Sequence, residues 1–286
     1  MSNQISIEIV ELTDEKLYFY LKGTNMGVAN ALRRIILADV FTYAIDDVYI
    51  KENSSLIFNN DYIKQRLGLL VIDSNNRRLI SKFPNECLCE NKKCNQCSIV
   101  LTIDVTADYD KQSVVTTDIV FPMDCEMKFI NGMENIPILK LMKNEHFKAE
   151  LVVRKGTGSQ HAKWMPSDCV IVKNKALIFF DNDSNTTMKP IQAQKFVKIC
   201  PKKIFSIKDG TENQIVVQRE DQCIYCKQCS RFAIEEMKNS KLVNVTPQQD
   251  VFVIQIESIG NMVPHLIFTE AIKILKSKVN DIQIKI

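Results

Sequence analysis

The N-terminal part of the chain alternates between hydrophobic and polar positions. Residues 5–9 carry isoleucine at every second position, and Leu17, Phe19 and Leu21 follow in the same rhythm. A period of two predicts two half-buried β-strands. The acidic segment ELTDE between them predicts the turn of a β-hairpin.

The next segment changes to the spacing of an α-helix. Thr24 or Asn25 can cap its N-terminus. One arc of the predicted helix, about 140° wide, contains the apolar residues Val28, Ala31, Leu32, Ile35 and Ile36. Asn30, Arg33 and Arg34 lie on the opposite side, and Leu37 projects between the two arginines. This second face is either an ordinary solvated surface or a surface that docks on another protein.

The rest of the chain predicts an α+β fold. The segment NNDYIKQRLGLLVI at 59–72 predicts a short helix that ends at Gly68 in a left-handed cap, followed by a strand. Residues 98–154 repeat strand patterns without a long helical one, which predicts a mostly antiparallel β domain. Residues 251–258 alternate again, and Pro264 begins an amphipathic C-terminal helix.

The composition of the chain indicates its cellular compartment and the kind of site that its cysteines form. The 286 residues carry a net charge of +3, which does not by itself make a nucleic-acid-binding surface. No apolar run approaches the roughly 18 residues that a membrane span needs, and the N-terminus does not resemble a signal peptide. We expect a soluble, intracellular protein, in the cytoplasm or the nucleus depending on its source. Ten cysteines in such a chain favour metal sites over disulfides.

The first cysteine group predicts a structural zinc site. Cys87, Cys89, Cys94 and Cys97 form a C-x-C-x4-C-x2-C pattern in the polar loop 87–97. Four thiolates match the closed tetrahedral coordination of structural zinc, which leaves no position for a substrate. The alternative is four free surface cysteines.

The second group has the spacing of a ferredoxin. Cys223, Cys226 and Cys229 form a C-x2-C-x2-C run, and Cys200 followed by Pro201 supplies a distant fourth ligand. Ala233 stands where a second cluster would need its own cysteine, so the pattern predicts a single 4Fe–4S cluster. Zinc and free thiols stay open as alternatives.

Catalytic patterns are weak. The segment GTGSQHAKWMP at 156–166 lacks the ending of a phosphate-binding loop, and His161 beside Trp164 is more typical of a structural hydrogen bond. A hydrolase that uses His161, Asp168 or a cysteine has no defensible nucleophile–base spacing. An iron–sulfur electron-transfer protein is the main alternative function, although no flavin or nucleotide fingerprint accompanies the cysteines.

Several motifs occur together and in the order of one family. The runs NALRRIIL and NNDYIKQRLGLLVI, the loop GTGSQHAKWMP, and the closing E-S-x-G before Pro264 resemble the assembly subunit of multisubunit RNA polymerases. This family comprises bacterial alpha, its archaeal counterpart and the eukaryotic third-largest subunit. Its members carry the paired arginines on a dimerisation helix, and the third-largest subunit has a zinc loop at the place of residues 87–97.

The resemblance implies three domains. A dimerisation domain would comprise residues 1–47, 172–190 and 246–286. An insert domain with the zinc loop would span 48–171, and a ferredoxin-like module would span 191–245.

The resemblance also implies a non-catalytic scaffold function. The chain would form a heterodimer with a smaller alpha-like subunit and would dock the second-largest polymerase subunit. Small zinc-binding polymerase subunits would bind nearby, and the chain would contact DNA only indirectly. By motif position, Arg33, Arg34, Leu37 and Arg66 would contact partners.

Overall fold

The computed structural model describes residues 4–90, 93–123, 125–181 and 188–283. Helices and strands are mixed along these residues, which agrees with the predicted α+β class. The α-helices are α1 (Met26–Ala38), α2 (Asn60–Gly68), α3 (Pro190–Ile199), α4 (Gln228–Glu235) and α5 (Pro264–Gln283). The strands are β1 (Ser6–Leu12), β2 (Lys16–Lys22), β3 (Phe41–Asn53), β4 (Ile99–Thr106), β5 (Gln112–Val115), β6 (Ile119–Val120), β7 (Pro137–Leu141), β8 (His146–Thr157), β9 (Ser167–Phe180), β10 (Phe205–Ile207), β11 (Ile215–Val217) and β12 (Val243–Ser258).

The strands of the described chain form two four-stranded sheets and two small ribbons. One sheet has the order β1-β2-β12-β9, and the other has the order β3-β8-β4-β6. Strand β8 pairs antiparallel with both β3 and β4, and the ribbons β10-β11 and β5-β7 are also antiparallel. Antiparallel pairing therefore dominates, as the strand-rich pattern of residues 98–154 predicts.

The chain divides into two compact units. The first comprises Met1–Val10, Tyr18–Asn30 and Ile171–Ile254. Its core contains four phenylalanines in edge-on contact, with ring centroids 5.1–5.9 Å apart. They are Phe180, Phe196, Phe205 and Phe232. These rings join the end of β9 to α3, β10 and α4, so the second cysteine group is built on an apolar base.

The second unit comprises Glu11–Leu17, Ala31–Val170 and Gln255–Ile286. Ile63 and Leu67 of α2 are fully buried against the sheet that contains β3 and β8. The side chain of Asn59 caps α2 by accepting a hydrogen bond from the Tyr62 amide at 2.9 Å. This packing leaves the opposite side of α2, including Tyr62, exposed.

Some local predictions are wrong. Gly68 is the last residue of α2 rather than a left-handed cap, because the chain continues in right-handed geometry through Leu69. Residues 69–72 form no extended strand, only a bridge between Ile72 and Phe129. Strand β1 is exposed at all of its positions, although its alternation predicts a half-buried strand.

Helix α1 follows its prediction closely. The side chain of Asn25 accepts a hydrogen bond from the Val28 amide at 3.0 Å, which identifies the capping residue. The buried positions are Ala29, Leu32, Ile35 and Ile36. Val28 is exposed, so the inward face is rotated by a fraction of a turn from the predicted one.

Candidate metal centres and partner surface

The first four cysteines lie in a loop whose two ends are held together. The amides of Ser81 and Lys82 both donate to the carbonyl of Gln96, at 3.0 and 2.9 Å. The amide of Cys97 donates to the carbonyl of Cys94 at 3.0 Å, which makes a tight turn between these two ligand positions. The loop therefore folds back on itself and brings its first cysteine beside its last.

The four thiols converge on one point. The sulfur–sulfur distances are 3.3 Å for Cys87–Cys89, 3.4 Å for Cys87–Cys94, 3.6 Å for Cys94–Cys97 and 3.7 Å for Cys89–Cys97. A tetrahedral ion with sulfur ligands at about 2.3 Å requires sulfurs about 3.8 Å apart. The thiols are thus arranged as the ligands of a single small ion, and a donor set of four cysteines suits a soft or borderline divalent metal.

The surroundings of these thiols favour deprotonation at two positions. A hydrogen bond from the Cys87 thiol lowers the pKa of Cys89 to about 6. The backbone amide of Gln96 lowers the pKa of Cys94. Burial raises the pKa of Cys97 to about 12, so this thiol needs a nearby cation to become a thiolate.

The second cysteine group surrounds a single small cavity. Cys200, Cys223, Cys226 and Cys229 all line it, together with Pro201. Cys200 follows the last turn of α3, and Cys229 lies in the first turn of α4, so two helix ends supply half of the group. Spacing in the sequence alone predicted this convergence.

The loop between the last three cysteines is tightly coiled. Tyr225 and Lys227 both have left-handed backbone conformations, with φ of 54° and 58°. Such conformations are uncommon for residues with a Cβ and wrap the chain around the cavity. Burial raises the pKa of Cys223 and of Cys229, so both are neutral thiols unless a metal binds.

This loop is also anchored to the strands beneath it. The Lys173 ammonium donates to the carbonyl of Cys223 at 3.0 Å, and the Tyr225 hydroxyl donates to the carbonyl of Asn174 at 3.1 Å. The Tyr18 hydroxyl of β2 donates to the carboxylate of Asp221. These anchors were missed in the sequence, because no motif relates them to the cysteines.

The predicted partner residues of α1 are accessible. Arg34 is exposed, and Arg33 and Leu37 are partly exposed. The end of the helix is fixed by the loop after β8, where the Ser159 amide donates to the Ala38 carbonyl at 2.9 Å.

Arg66 lies elsewhere, on α2. Its guanidinium donates to the carbonyl of Pro137 and lies 5.9 Å from the ring centre of Tyr62. It borders a shallow cleft of about 210 Å³ that includes Leu69 and Ile136. The cleft offers a cation beside apolar side chains.

His161 has a local structural contact. Its Nδ1 accepts a hydrogen bond from the amide of Lys163 at 3.0 Å and so caps a short 3-10 turn. The Lys163 ammonium in turn contacts the carboxylate of Asp46 at 3.2 Å. This geometry agrees with the structural interpretation of the histidine.

Comparison with known proteins relates this chain to subunits of RNA polymerases. The model of a family described as the RNA polymerase Rpb3/Rpb11 dimerisation domain matches residues 18–279. The chain is 31% identical to DNA-directed RNA polymerase II subunit rpb3 of Dictyostelium discoideum, over 99% of this chain and 95% of that protein. It is 30% identical to DNA-directed RNA polymerases II, IV and V subunit 3 of Arabidopsis thaliana, over 97% of this chain and 90% of that protein.

An archaeal relative is similar to the same extent. The chain is 29% identical to DNA-directed RNA polymerase subunit Rpo3 of Methanosphaera stadtmanae, over 97% of each protein. Within the described residues, none of the helices has the length and apolar character required to cross a membrane.

Proposed function

Because the chain belongs to the RNA polymerase Rpb3/Rpb11 dimerisation family, we propose that it is a non-catalytic assembly subunit of a DNA-directed RNA polymerase. The observation that carries this proposal is the match of residues 18–279 to a dimerisation domain, over nearly the whole chain. The relatives are named as subunits of polymerases, so the chemistry of RNA synthesis belongs to a larger complex.

The proposed partner of the dimerisation surface is a smaller alpha-like subunit. Arg33, Arg34 and Leu37 would contact it from α1. The C-terminal helix α5 would contact the same subunit through its exposed apolar residues Ile272, Val279 and Ile282. Partly exposed apolar positions flanked by cations are typical of a surface that docks on another protein.

The second-largest polymerase subunit would dock on the side of α2. Arg66 and the cleft beside it provide a cation and an apolar surface there. The fully exposed Leu56 and the exposed Ile57 precede α2 and would add an apolar anchor. Small zinc-binding polymerase subunits would bind nearby, and DNA would be contacted only through the other subunits.

The first cysteine group would hold a structural zinc ion. Cys87, Cys89, Cys94 and Cys97 would be its four ligands, and their sulfur–sulfur distances support this assignment. A closed site of four cysteines has no position for a substrate, so the ion would stabilise the loop and perform no catalysis.

The second group would hold one 4Fe–4S cluster, with Cys200, Cys223, Cys226 and Cys229 as ligands. Their ferredoxin-type spacing and their convergence on one cavity support this proposal. Zinc or free thiols are the competing outcomes. The cluster would tie two helix ends and a coiled loop together, which is a stabilising function rather than electron transport.

The decisive experiment is a gentle anaerobic purification of the tagged full chain from its native source. We expect two very large subunits and a small alpha-like one in the mass spectrum. Leu37→Ser should reduce the yield of the small subunit, whereas Val120→Ser, an exposed apolar residue of β6, should not. A lone chain, or one that copurifies with a reductase, would contradict the proposal and favour an electron carrier.

The cluster has its own test. Cys226→Ser should lower iron and acid-labile sulfide to background and reduce stability or heterodimer yield, while elongation by assembled polymerase stays normal. Cys169→Ser, which changes a cysteine outside both groups, is the matched control. Stoichiometric zinc in place of iron, or normal stability without any metal, would contradict the assignment.

A further inference from the structure

The module around the second cysteine group is strongly basic. Residues 188–245 contain eleven lysines and arginines and six acidic residues, a net charge of +5 in a chain whose total is +3. All eleven cations are exposed. Within the described part of the chain, the observed ion pairs all lie outside this range. The module therefore carries a positive field that its own carboxylates do not balance.

One further cation reaches the cysteine loop from outside the module. Lys173 belongs to β9, and its side chain is partly buried. Its ammonium donates to the carbonyl of Cys223 at 3.0 Å. Lys173 is thus a partly buried cation held against the backbone of a proposed cluster ligand.

The neighbouring lysine of the same strand provides a comparison. Lys175 lies two residues further along β9, and its ammonium is 5.0 Å from the ring centre of Tyr20. Neither lysine lines the cysteine cavity, but Lys173 donates to the carbonyl of Cys223, whereas Lys175 contacts the Tyr20 ring. The two lysines therefore share a strand and differ in whether they contact the cysteine loop.

We propose that Lys173 is a positioning residue for the iron–sulfur cluster, which fixes the Cys223 ligand through its carbonyl and raises the reduction potential of the cluster through its charge. This inference rests on the proposed cluster at Cys200, Cys223, Cys226 and Cys229. It assigns a function to a residue of β9 that lies outside the cysteine motif.

The physical reason is the charge of the cofactor. A 4Fe–4S cluster with four thiolate ligands has a net negative charge, and reduction adds one more electron. A nearby positive charge stabilises the reduced form more than the oxidised form, and partial burial weakens the screening by water. The basic surface of residues 188–245 acts in the same direction at longer range.

The test is a redox titration of the anaerobically purified full chain, followed by electron paramagnetic resonance. Lys173→Gln should disfavour reduction by about tenfold, a shift of about 59 mV to more negative potential for one electron. Lys173→Arg keeps the charge and should restore most of the potential. Lys175→Gln is the matched control and should shift the reduction equilibrium by less than threefold.

The outcomes separate this inference from the proposed cluster. If the unmodified chain contains no iron, the cluster proposal itself fails. If iron is present and Lys173→Gln leaves the potential unchanged, or Lys175→Gln shifts it equally, the inference about Lys173 is wrong. If Lys173→Gln loses the cluster, Lys173→Met decides, because it keeps the length of the side chain and removes its charge. A shift of about 59 mV to more negative potential supports the inference, and an unchanged potential contradicts it.

Discussion

The hydroxyl of Tyr18 and the carboxylate of Asp221 form a hydrogen bond between residues 203 positions apart in the chain. Tyr18 belongs to strand β2, and Asp221 lies in the short 3-10 turn that leads directly to Cys223. Burial, and then the bond to Asp221, raise the pKa of Tyr18, so its hydroxyl stays protonated and donates at any physiological pH. Strand β2 is thus hydrogen-bonded to the residues that directly precede Cys223.

Removal of this bond should loosen the loop. We expect Tyr18→Phe to lower the free energy of unfolding by about 1–2 kcal/mol, because the partly buried carboxylate of Asp221 loses one of its donors and keeps the Gln222 side-chain amide. It should also shorten the lifetime of bound iron in air. Chemical denaturation and absorbance of the cofactor measure the two effects. Tyr109→Phe, at an exposed tyrosine, should change neither quantity. If Tyr18→Phe has the same stability and iron lifetime as Tyr109→Phe, the bond between Tyr18 and Asp221 does not stabilise the loop.

Loss of one ligand should empty the first metal centre. Cys89→Ser replaces a thiol whose pKa is already lowered to about 6, so it removes a favourable thiolate. Native mass spectrometry should show one zinc ion fewer per chain, and the loop 87–97 should become sensitive to protease. Cys125→Ser, at a partly buried cysteine outside the group, should retain the zinc. Retention of zinc in Cys89→Ser would exclude a four-cysteine site.

Gly158 has no space for a side chain. A Cβ at this position would lie 2.0 Å from the carbonyl oxygen of Leu37. We expect Gly158→Ala to destabilise the chain by about 1–3 kcal/mol, since the loop must move away from the end of α1.

Gly68 provides the control for this prediction. A Cβ there would have its nearest neighbour at 3.6 Å, and Ala favours the helix by up to about 1 kcal/mol. Gly68→Ala should therefore be neutral or slightly stabilising in the same thermal unfolding assay. If both variants unfold alike, the close approach at Gly158 is not significant.

His146 should make stability depend on pH. Its ring contacts Asp104 at 2.7 Å and Glu52 at 3.1 Å, and the hydrogen bond to Asp104 is the main cause of its raised pKa. The protonated form is favoured in the folded state, so this stabilisation is complete below the ordinary value of 6.5 and is lost as pH rises through the folded pKa.

The measurement compares the chain with His146→Gln. The difference in melting temperature should be larger at about pH 5.5 than at about pH 8. The pKa of Asp104 is lowered by its hydrogen bond with Lys148, so this carboxylate stays ionised over the interval and does not contribute to the change. A difference that is constant with pH would contradict the prediction.

Local patterns predicted much of this structure. The alternation at Leu17, Phe19 and Leu21 identified β2, and the run after Asn25 identified α1, because both depend on which side chains face the core. The family resemblance read from NALRRIIL and NNDYIKQRLGLLVI is confirmed by the match of residues 18–279. The cysteine spacings predicted which cysteines lie together, since ligand geometry restricts spacing: the first four sulfurs lie within 4.8 Å of one another, and the second four cysteines line one cavity. The metal that each group would hold stays a prediction.

The remaining features depend on the fold as a whole. Strand β1 alternates like β2 but lies at the edge of its sheet, and sequence does not reveal which strand will be uncovered. Helix α3 was missed because it has only ten residues, too few for apolar spacing to distinguish a helix clearly from other structures. The bond between Tyr18 and Asp221 joins two ordinary residues that only the folded chain brings together. The domain boundaries stay a prediction.

The segment between β9 and β12, which contains the second cysteine group, leaves one sheet and returns to it at neighbouring positions. Strands β9 and β12 are neighbours in one sheet, although they are separated by the whole module, and the Asp181 amide donates to the Leu242 carbonyl at 3.0 Å where the two strands leave the sheet. In topological terms the module is an enlarged hairpin loop. Because the entropy of closing a loop grows only slowly with its length, evolution could lengthen, rebuild or delete this segment while the strand order of the sheet stayed the same.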